Sequence, residues 1–486
     1  MDKNRPENNL RTWLGLAVLA LPTLVLAVET SVTYLALPYL SKDLNATGIE
    51  QLWIVDIYGF VLASLLITMG NLGDRIGRRK LLLIGAMFFA MASALAAFAP
   101  TVGLLIFARV LMGIAGATLM PSTLALISNL FTDKKQRSMA IGVWMSCFMV
   151  GMIIGPLLGG YFIEKFYWGS VFLLAIPPMI TLLIAGPFLL PEFKTHKGKS
   201  TDLISVGLSL LTIMPLVFGL KNLAFQELGM YSLLGIVVGI IFGFTFVRRQ
   251  KIIDHPLLDV SLFKNLTFST VVFVMLVVAV LMGGTALLLN QYLQLVQGFS
   301  PLITGLWGVP QAVGMLFASI ITPILAQRIR QETLIVVGLV IAALGFMLIF
   351  ISPVGWFPLA IAGFVLATIG VAPTLVLGTG IILSAVSPEK SGSAAAISET
   401  SNQLGVALGV ALIGSLAAVI FSNQISVPGG SGLDAISIIN SSAQHDVIVA
   451  AQNAFAKSFS TVAAIGAAIF AGLAVLVHFI YKNKEK

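Results

Sequence analysis

Charge is scarce in this chain. Among 486 residues there are 28 Lys and Arg and 20 Asp and Glu, or 10%, where a soluble domain carries roughly 25%. With 58% hydrophobic residues, too little polar surface remains to coat a water-soluble globule. A cytosolic enzyme, a nucleic-acid-binding protein and a disordered chain are thereby excluded. Cysteine occurs once, at Cys147, which excludes an internal disulfide framework and a Cys-based metal site. The four histidines, His196, His255, His445 and His478, are too scattered to form a His-ligated metal centre, and no metal is expected. No Gly-x-x-x-x-Gly-Lys-Ser/Thr phosphate loop exists, so ATP chemistry is not expected either.

What the chain has in abundance is long apolar runs. A helix needs roughly 20 mainly apolar residues to cross the hydrocarbon core of a bilayer. Fourteen segments qualify: about 12–39, 50–70, 80–99, 102–127, 138–162, 168–190, 203–222, 230–247, 268–291, 302–326, 333–351, 357–383, 393–421 and 457–481. They are too long for the ten-residue alternating strands of a membrane barrel. The first run also exceeds a signal-peptide core, so it is read as part of the mature protein. The predicted class is an all-α integral membrane protein.

An even number of spans puts both termini on one side, and the basic residues say which. Segments on the terminal side hold 23 of the 28 Lys and Arg, whereas the opposite side has only Lys42, Lys165, Lys221 and Lys457. Cytoplasmic loops are enriched in Lys and Arg, so both termini are expected in the cytoplasm. The net charge of +8 is therefore a topology signal, and no nucleic-acid partner is expected. Polar, basic stretches follow the sixth and eighth spans. They divide the chain into a first six-helix bundle (1–192), a linker with two extra spans (193–265) and a second six-helix bundle (266–486). A faint repeat supports this 6+2+6 arrangement, because Leu72-Gly73-Asp74-Arg75-Ile76 and Leu325-Ala326-Gln327-Arg328-Ile329 fall at corresponding places. Repeated halves with a site between them are how many secondary transporters are built. The long segment at 422–456 is read as a flexible linker in preference to a lid, with 444–455 as a candidate short surface helix.

Four ionisable groups fall inside spans: Glu29, Asp56, Arg109 and Glu399. Each costs at least about 2.5–3.5 kcal/mol at a helix centre, so such residues usually face a cavity and act there. Glu29, Asp56 and Arg109 belong to the half of the membrane opposite the termini, and Glu399 to the terminal half. Asp56 and Arg109 lie at similar depth and are expected to pair, whereas Glu29 has no evident structural partner. Three acids against one base favour a cation and a titrating proton. Tyr34, Trp53, Tyr58, Trp144 and Gln403 are candidates for lining a substrate path.

Several strings have the look of a family. Gly70-Asn71-Leu72-Gly73-Asp74-Arg75-Ile76-Gly77-Arg78-Arg79-Lys80 resembles the loop signature of the major facilitator superfamily. Gly73 and Gly77 permit close turns, and the basic cluster is expected to anchor the loop at lipid headgroups. The string from Arg109 through Gly113 and Gly116 resembles the superfamily's proton-relay segment. Gly151, Gly155 and Gly159 recur on one helix face, and with Pro156 and Gly160 they resemble a motif associated with antiporters. The finer resemblance is to the 14-helix drug:proton antiporters, the branch of QacA-like and SmvA-like exporters of quaternary ammonium compounds. It rests on Val28-Glu29-Thr30 through Pro38, Trp53-Ile54-Val55-Asp56-Ile57-Tyr58, Trp168-Gly169-Ser170-Val171-Phe172, Leu190-Pro191-Glu192, Leu258 to Phe263, and Ala394 to Glu399. Gln403 stands where QacA-like members can carry a further acid.

The resemblance implies a major facilitator fold with 14 spans and no enzymatic activity. The implied function is multidrug efflux from the bacterial cytoplasmic (inner) membrane by a monomer, driven by the proton gradient with no cofactor. Its partners would be lipophilic cations, protons and the bilayer. Glu29, Asp56 and Glu399 would carry protons and bind cations, Arg109 would relay protons or pair, and Asp74 would latch helices together. Export of a neutral drug such as tetracycline, or of a metabolite, is the alternative. A membrane-embedded enzyme would need a nucleophile–base or metal constellation and a channel a filter, and neither pattern is present.

Overall fold

The computed structural model describes residues 9–131, 133–193, 202–225, 229–253, 260–384, 391–424 and 445–482. Every regular element among them is helical. In chain order these are α1 (Asn9–Leu44), α2 (Gly48–Ile76), α3 (Arg78–Ala97), α4 (Val102–Leu130), α5 (Lys134–Lys165), α6 (Ser170–Leu173) and α7 (Ile176–Leu189). They continue with α8 (Leu203–Phe225), α9 (Met230–Gln250), α10 (Leu266–Gln291), α11 (Pro301–Leu325), α12 (Gln331–Phe350), α13 (Phe357–Ser384), α14 (Ser391–Ser422) and α15 (His445–Lys482). A 3-10 turn (Val260–Lys264) precedes α10 and a π-turn (Tyr292–Val296) extends it.

The helix ends follow local chemistry. Thr47 caps α2 in a reciprocal box with Glu50: the Glu50 amide donates to Thr47 Oγ1, and the Thr47 amide to Glu50 Oε2 at 2.8 Å. The side chains of Thr101, Asn265 and Ser300 cap α4, α10 and α11 by accepting first-turn amides, without the reciprocal bond. The sixth span differs from the uninterrupted helix expected at 168–190, because it breaks into α6 and α7. Pro177 and Pro178 have no amide hydrogen to continue the ladder back into α6.

Thirteen stretches among the described residues are long and apolar enough to cross a membrane. The segment expected at 203–222 is α8, whose apolar part, Ile204–Gly219, is shorter than those thirteen. The end of the chain corrects the sequence reading. The expected surface helix at 444–455 and the expected last span are one continuous helix of 38 residues, because no Gly or Pro interrupts the Ala-rich stretch from His445 to Ile465. At 1.5 Å per residue it is about 57 Å long, well beyond the hydrocarbon core. The loop residues 425–444 lie outside the described part.

Two apolar cores result. One is built almost wholly from α1 to α7, from Leu16 to Leu190; the other runs from Leu262 to Val477. The two halves meet along two seams, α2 against α14 and α5 against α11. The α8–α9 hairpin lies outside the first of these, with α8 packed on both α2 and α14. A clasp at the terminal end closes the hairpin. Arg249 Nε and Nη2 donate to the two carboxylate oxygens of Asp202 at 2.8 and 2.9 Å. Those hydrogen bonds hold the Asp202 carboxyl down at about 2, so it stays ionised at physiological pH.

Candidate functional site

The membrane-buried charges of the first half converge where α1, α2 and α4 meet. Glu29 on α1 is 2% exposed, Asp56 on α2 1% and Arg109 on α4 2%. Gly113, one turn beyond Arg109, lets α4 come close to α2: a Cβ there would lie 2.8 Å from the Tyr58 carbonyl oxygen and 2.9 Å from Val61 Cβ. That closeness explains the glycine in the string that begins at Arg109. It also brings the Arg109 side chain to the backbone of α2.

Arg109 is held on every side. Its Nη1 donates to Glu29 Oε1 in a buried ion pair. Its Nε donates to the Ile54 carbonyl at 2.9 Å, and Nη2 to the Val55 carbonyl at 3.4 Å. The guanidinium carbon lies 4.8 Å from the centre of the Tyr58 ring and 6.0 Å from that of Phe172, within range of a cation–π attraction. Glu29 Oε1 also accepts from Thr33 Oγ1 at 3.2 Å. Tyr34 stands within electrostatic reach of Asp56 and Arg109, and Tyr58 within reach of Glu29 and Arg109.

This geometry corrects one expectation. Glu29, which had no evident partner in the sequence, takes an ion pair with Arg109, whose guanidinium also meets the backbone next to Asp56. Depth along a helix carries no rotation about it, so a partner 80 positions away was not visible. A pair of this kind can act as a switch. Protonating Glu29 removes the charge that compensates Arg109, and a buried charge left uncompensated is costly.

The remaining sequence candidates separate. Tyr34 and Tyr58 are buried beside the ion pair, and Trp144 is buried in the same apolar core. Trp53 instead packs on α8 at the α2/α14 seam. Gln403 is half-buried on α14. The side chains of Asp74 and Glu399 fall outside the described residues; their backbones lie in the last turns of α2 and the first third of α14.

The glycine-rich loop clamps the helices together. Gly77 joins α2 to α3 with φ of 113°, a conformation that strains any residue with a Cβ. Beside it stands a residue whose role sequence reasoning missed. The Glu192 carboxylate accepts the amides of Arg79 and Lys80, both at 3.1 Å, and so caps α3 from the end of α7. Arg79 Nη1 donates to the Leu190 carbonyl at 2.9 Å, and Arg78 Nη1 to that of Pro121 at 3.5 Å. Arg75 is exposed, a Cβ at Gly73 would lie 2.9 Å from Arg78 Cδ, and one at Gly70 3.8 Å from Pro121. The signal for Glu192 was its place in Leu190-Pro191-Glu192, which was noted without a role.

On α5 the small residues serve two partners. Gly151, Gly155 and Gly159 face α1, and a Cβ at Gly151 would lie 2.8 Å from the Leu24 carbonyl oxygen. Gly160 and Pro156 face the other half, against Leu302 and Gly305 of α11. The row therefore fixes α5 within its own half and brings it against the other.

Two helical halves, a seam on either flank and a buried ion pair within one half make a multi-pass membrane transporter. The chain belongs to the Major Facilitator Superfamily, which matches residues 19–410. It is 42% identical to the multidrug efflux pump LfrA of Mycolicibacterium smegmatis, over 86% of this chain and 84% of that protein. It is 33% identical to the methyl viologen resistance protein SmvA of Salmonella typhimurium, over 86% and 85%. Among solved structures, a bacterial homologue of the human lysosomal transporter Spinster, inward-facing and unoccupied, superimposes with a TM-score of 0.68. It has 16% identity and covers 98% of this chain and 97% of that one. Family and fold are those of transporters, not of enzymes.

Proposed function

We propose that the protein is a proton-coupled antiporter that exports lipophilic cations, among them quaternary ammonium antiseptics and dyes. It would work from the bacterial cytoplasmic membrane as a monomer without a cofactor. The observation that carries this reading is the buried Glu29–Arg109 pair with Asp56 close by. Two acids and one base give this buried cluster a formal charge of −1 when all are ionised, which favours a bound cation. The name multidrug efflux pump borne by a relative 42% identical to this chain supports drug export, and that of the methyl viologen resistance protein supports a cationic substrate.

The mechanism follows from competition. A proton on Glu29 releases Arg109 from its partner, and a substrate cation takes up the negative charge that a proton would otherwise neutralise. Proton and cation cannot both satisfy the same carboxylates, so each displaces the other as the halves rock. Each proton moving inward supplies about 2.3 kcal/mol per 100 mV of membrane potential. In this reading the chain makes fourteen crossings as 6+2+6, with bundles at 1–192 and 266–486, linker helices at 193–265 and both termini cytoplasmic. Glu399 and Gln403 present the second half's polar face to substrate, and Asp74 latches the loop between α2 and α3.

The test is transport in proteoliposomes under an imposed pH gradient. Ethidium and benzalkonium should be moved only while the gradient lasts, and a protonophore should abolish the movement. Transport of tetracycline with neither cation moved would favour a neutral substrate instead.

A further inference from the structure

A cavity of about 290 Å³ opens in the second half at the end away from the termini. It lies where the last turn of α12, the start of α13 and the π-turn after α10 meet α15. Tyr292 opens that π-turn, and its ring stacks on Phe459 of α15 with 5.4 Å between centres. Ile349, Val354 and Phe459 give the cavity apolar walls, and a single charged side chain, Lys457, lines it.

Lys457 stands out on two counts. It is one of only four basic residues on the side opposite the termini, where Lys and Arg are disfavoured. It also makes no ion pair among the described residues. Asn453 precedes it by one turn on the same face of α15 and lines the same cavity. The Tyr292 hydroxyl accepts from Gln297 Nε2 at 3.0 Å and keeps its own proton to donate. Ser352 and Ser460, by contrast, spend their protons on the carbonyls of Trp356 at 3.0 Å and Lys457 at 3.3 Å. An ammonium, an amide and a phenol are thus left to donate to a ligand, with no carboxylate among the lining residues. That set fits an anion.

The level of the cavity is that of the membrane interface. The helix α12 ends at Phe350, and Trp356 beside the cavity is 57% exposed, as aromatic residues are where a span leaves the hydrocarbon. Further along, α12 and α15 pack on each other, with the rings of Phe346 and Phe470 5.0 Å apart. Both helices expose apolar side chains on the way, Leu344 and Met347 on one, Ile465 and Ile469 on the other.

We propose that this cavity binds an anionic phospholipid. Lys457, Asn453 and Tyr292 hold its phosphodiester head, and its acyl chains lie along the exposed faces of α12 and α15. Charge supplies the attraction, because a hydrogen bond from an ammonium to phosphate is stronger than one between neutral groups. The apolar walls select a lipid over free phosphate. They would strip water from an inorganic ion without compensation, whereas a lipid brings its own apolar carbons to them. A cation is repelled by Lys457, so the site is distinct from the acids of the first half.

A ligand that binds only the folded protein raises its unfolding temperature. Delipidated protein in detergent is therefore titrated with short-chain phosphatidylglycerol, with phosphatidylcholine of the same chains, and with inorganic phosphate. Phosphatidylglycerol should raise the midpoint saturably, and phosphatidylcholine should bind at least about tenfold more weakly, a difference of 1.4 kcal/mol. Lys457→Gln, at an exposed position, should weaken the response to phosphatidylglycerol about tenfold. Lys165→Gln removes an exposed charge at the end of α5 and should change it less than about twofold. Native mass spectrometry of the same samples should find one phosphatidylglycerol fewer on Lys457→Gln, which a merely less stable variant would not show. No response to phosphatidylglycerol, an equal response to both lipids, or an undiminished one in Lys457→Gln overturns the proposal. So does a midpoint raised as far by inorganic phosphate as by lipid. Neither readout involves transport, so the antiporter reading stands or falls separately.

Discussion

Replacing Glu29 with Gln removes a charge and little else. Arg109 stays buried, held by the carbonyls of Ile54 and Val55 and set over the Tyr58 ring. Breaking a buried pair from one side costs about 3–5 kcal/mol, because the remaining charge is left uncompensated. The amide oxygen of Gln returns a hydrogen bond to the guanidinium, which offsets about 1.5–3 kcal/mol of that loss. The expected net destabilisation of this conformation is therefore about 1–3 kcal/mol, and thermal unfolding in detergent reads it as a lowered midpoint. Adding Arg109→Met to Glu29→Gln removes the stranded charge and should recover much of the loss. The transport consequence is sharper, since Gln cannot titrate. Ethidium efflux driven by a pH gradient should fall at least about tenfold, more than 1.4 kcal/mol of coupling. Undiminished pH-driven efflux by Glu29→Gln at matched expression refutes the assignment of Glu29 as the coupling acid.

Gly160→Leu should abolish transport while leaving membrane insertion intact, because its Cβ would lie 2.5 Å from Leu302 Cα and keep the far ends of α5 and α11 apart; crosslinking across that seam is the readout. Glu192→Ala frees the amides of Arg79 and Lys80 and should cost about 1 kcal/mol, the usual value of a helix cap, measured as a lower unfolding midpoint. Gln403→Asp adds an acid one helical turn from Glu399, roughly 5–6 Å away at Cβ, and should raise resistance to dications more than to monocations. Equal gains for both classes would show that α14 does not read substrate charge.

The parts legible in the sequence are those set by local chemistry. Apolar runs located the helices, since a membrane-spanning segment must satisfy its own backbone. The break at Pro177 and Pro178 was equally legible, but the apolar run on either side concealed it. The last helix was read as two pieces, a short surface helix at 444–455 and a span from 457, although nothing in the stretch ends a helix. The buried charges were found individually, because ionisable residues are costly in a membrane wherever they point. Their partnership was not, since Glu29 and Arg109 are 80 positions apart and only the packing of α1 on α4 brings them together. Glu192 escaped for the same reason: the amides that donate to it lie 113 and 112 positions away. That α8 packs along one seam, on both α2 and α14, is likewise a matter of tertiary packing.

The central claim is that proton and substrate compete for the same buried carboxylates. Adding ethidium, benzalkonium or chlorhexidine to the purified protein in weakly buffered detergent solution tests it directly, with a pH-sensitive dye as the readout. The account predicts proton release that saturates with substrate and is lost in Glu29→Gln. Substrate binding with no proton released, or release that is unchanged in Glu29→Gln, would contradict it.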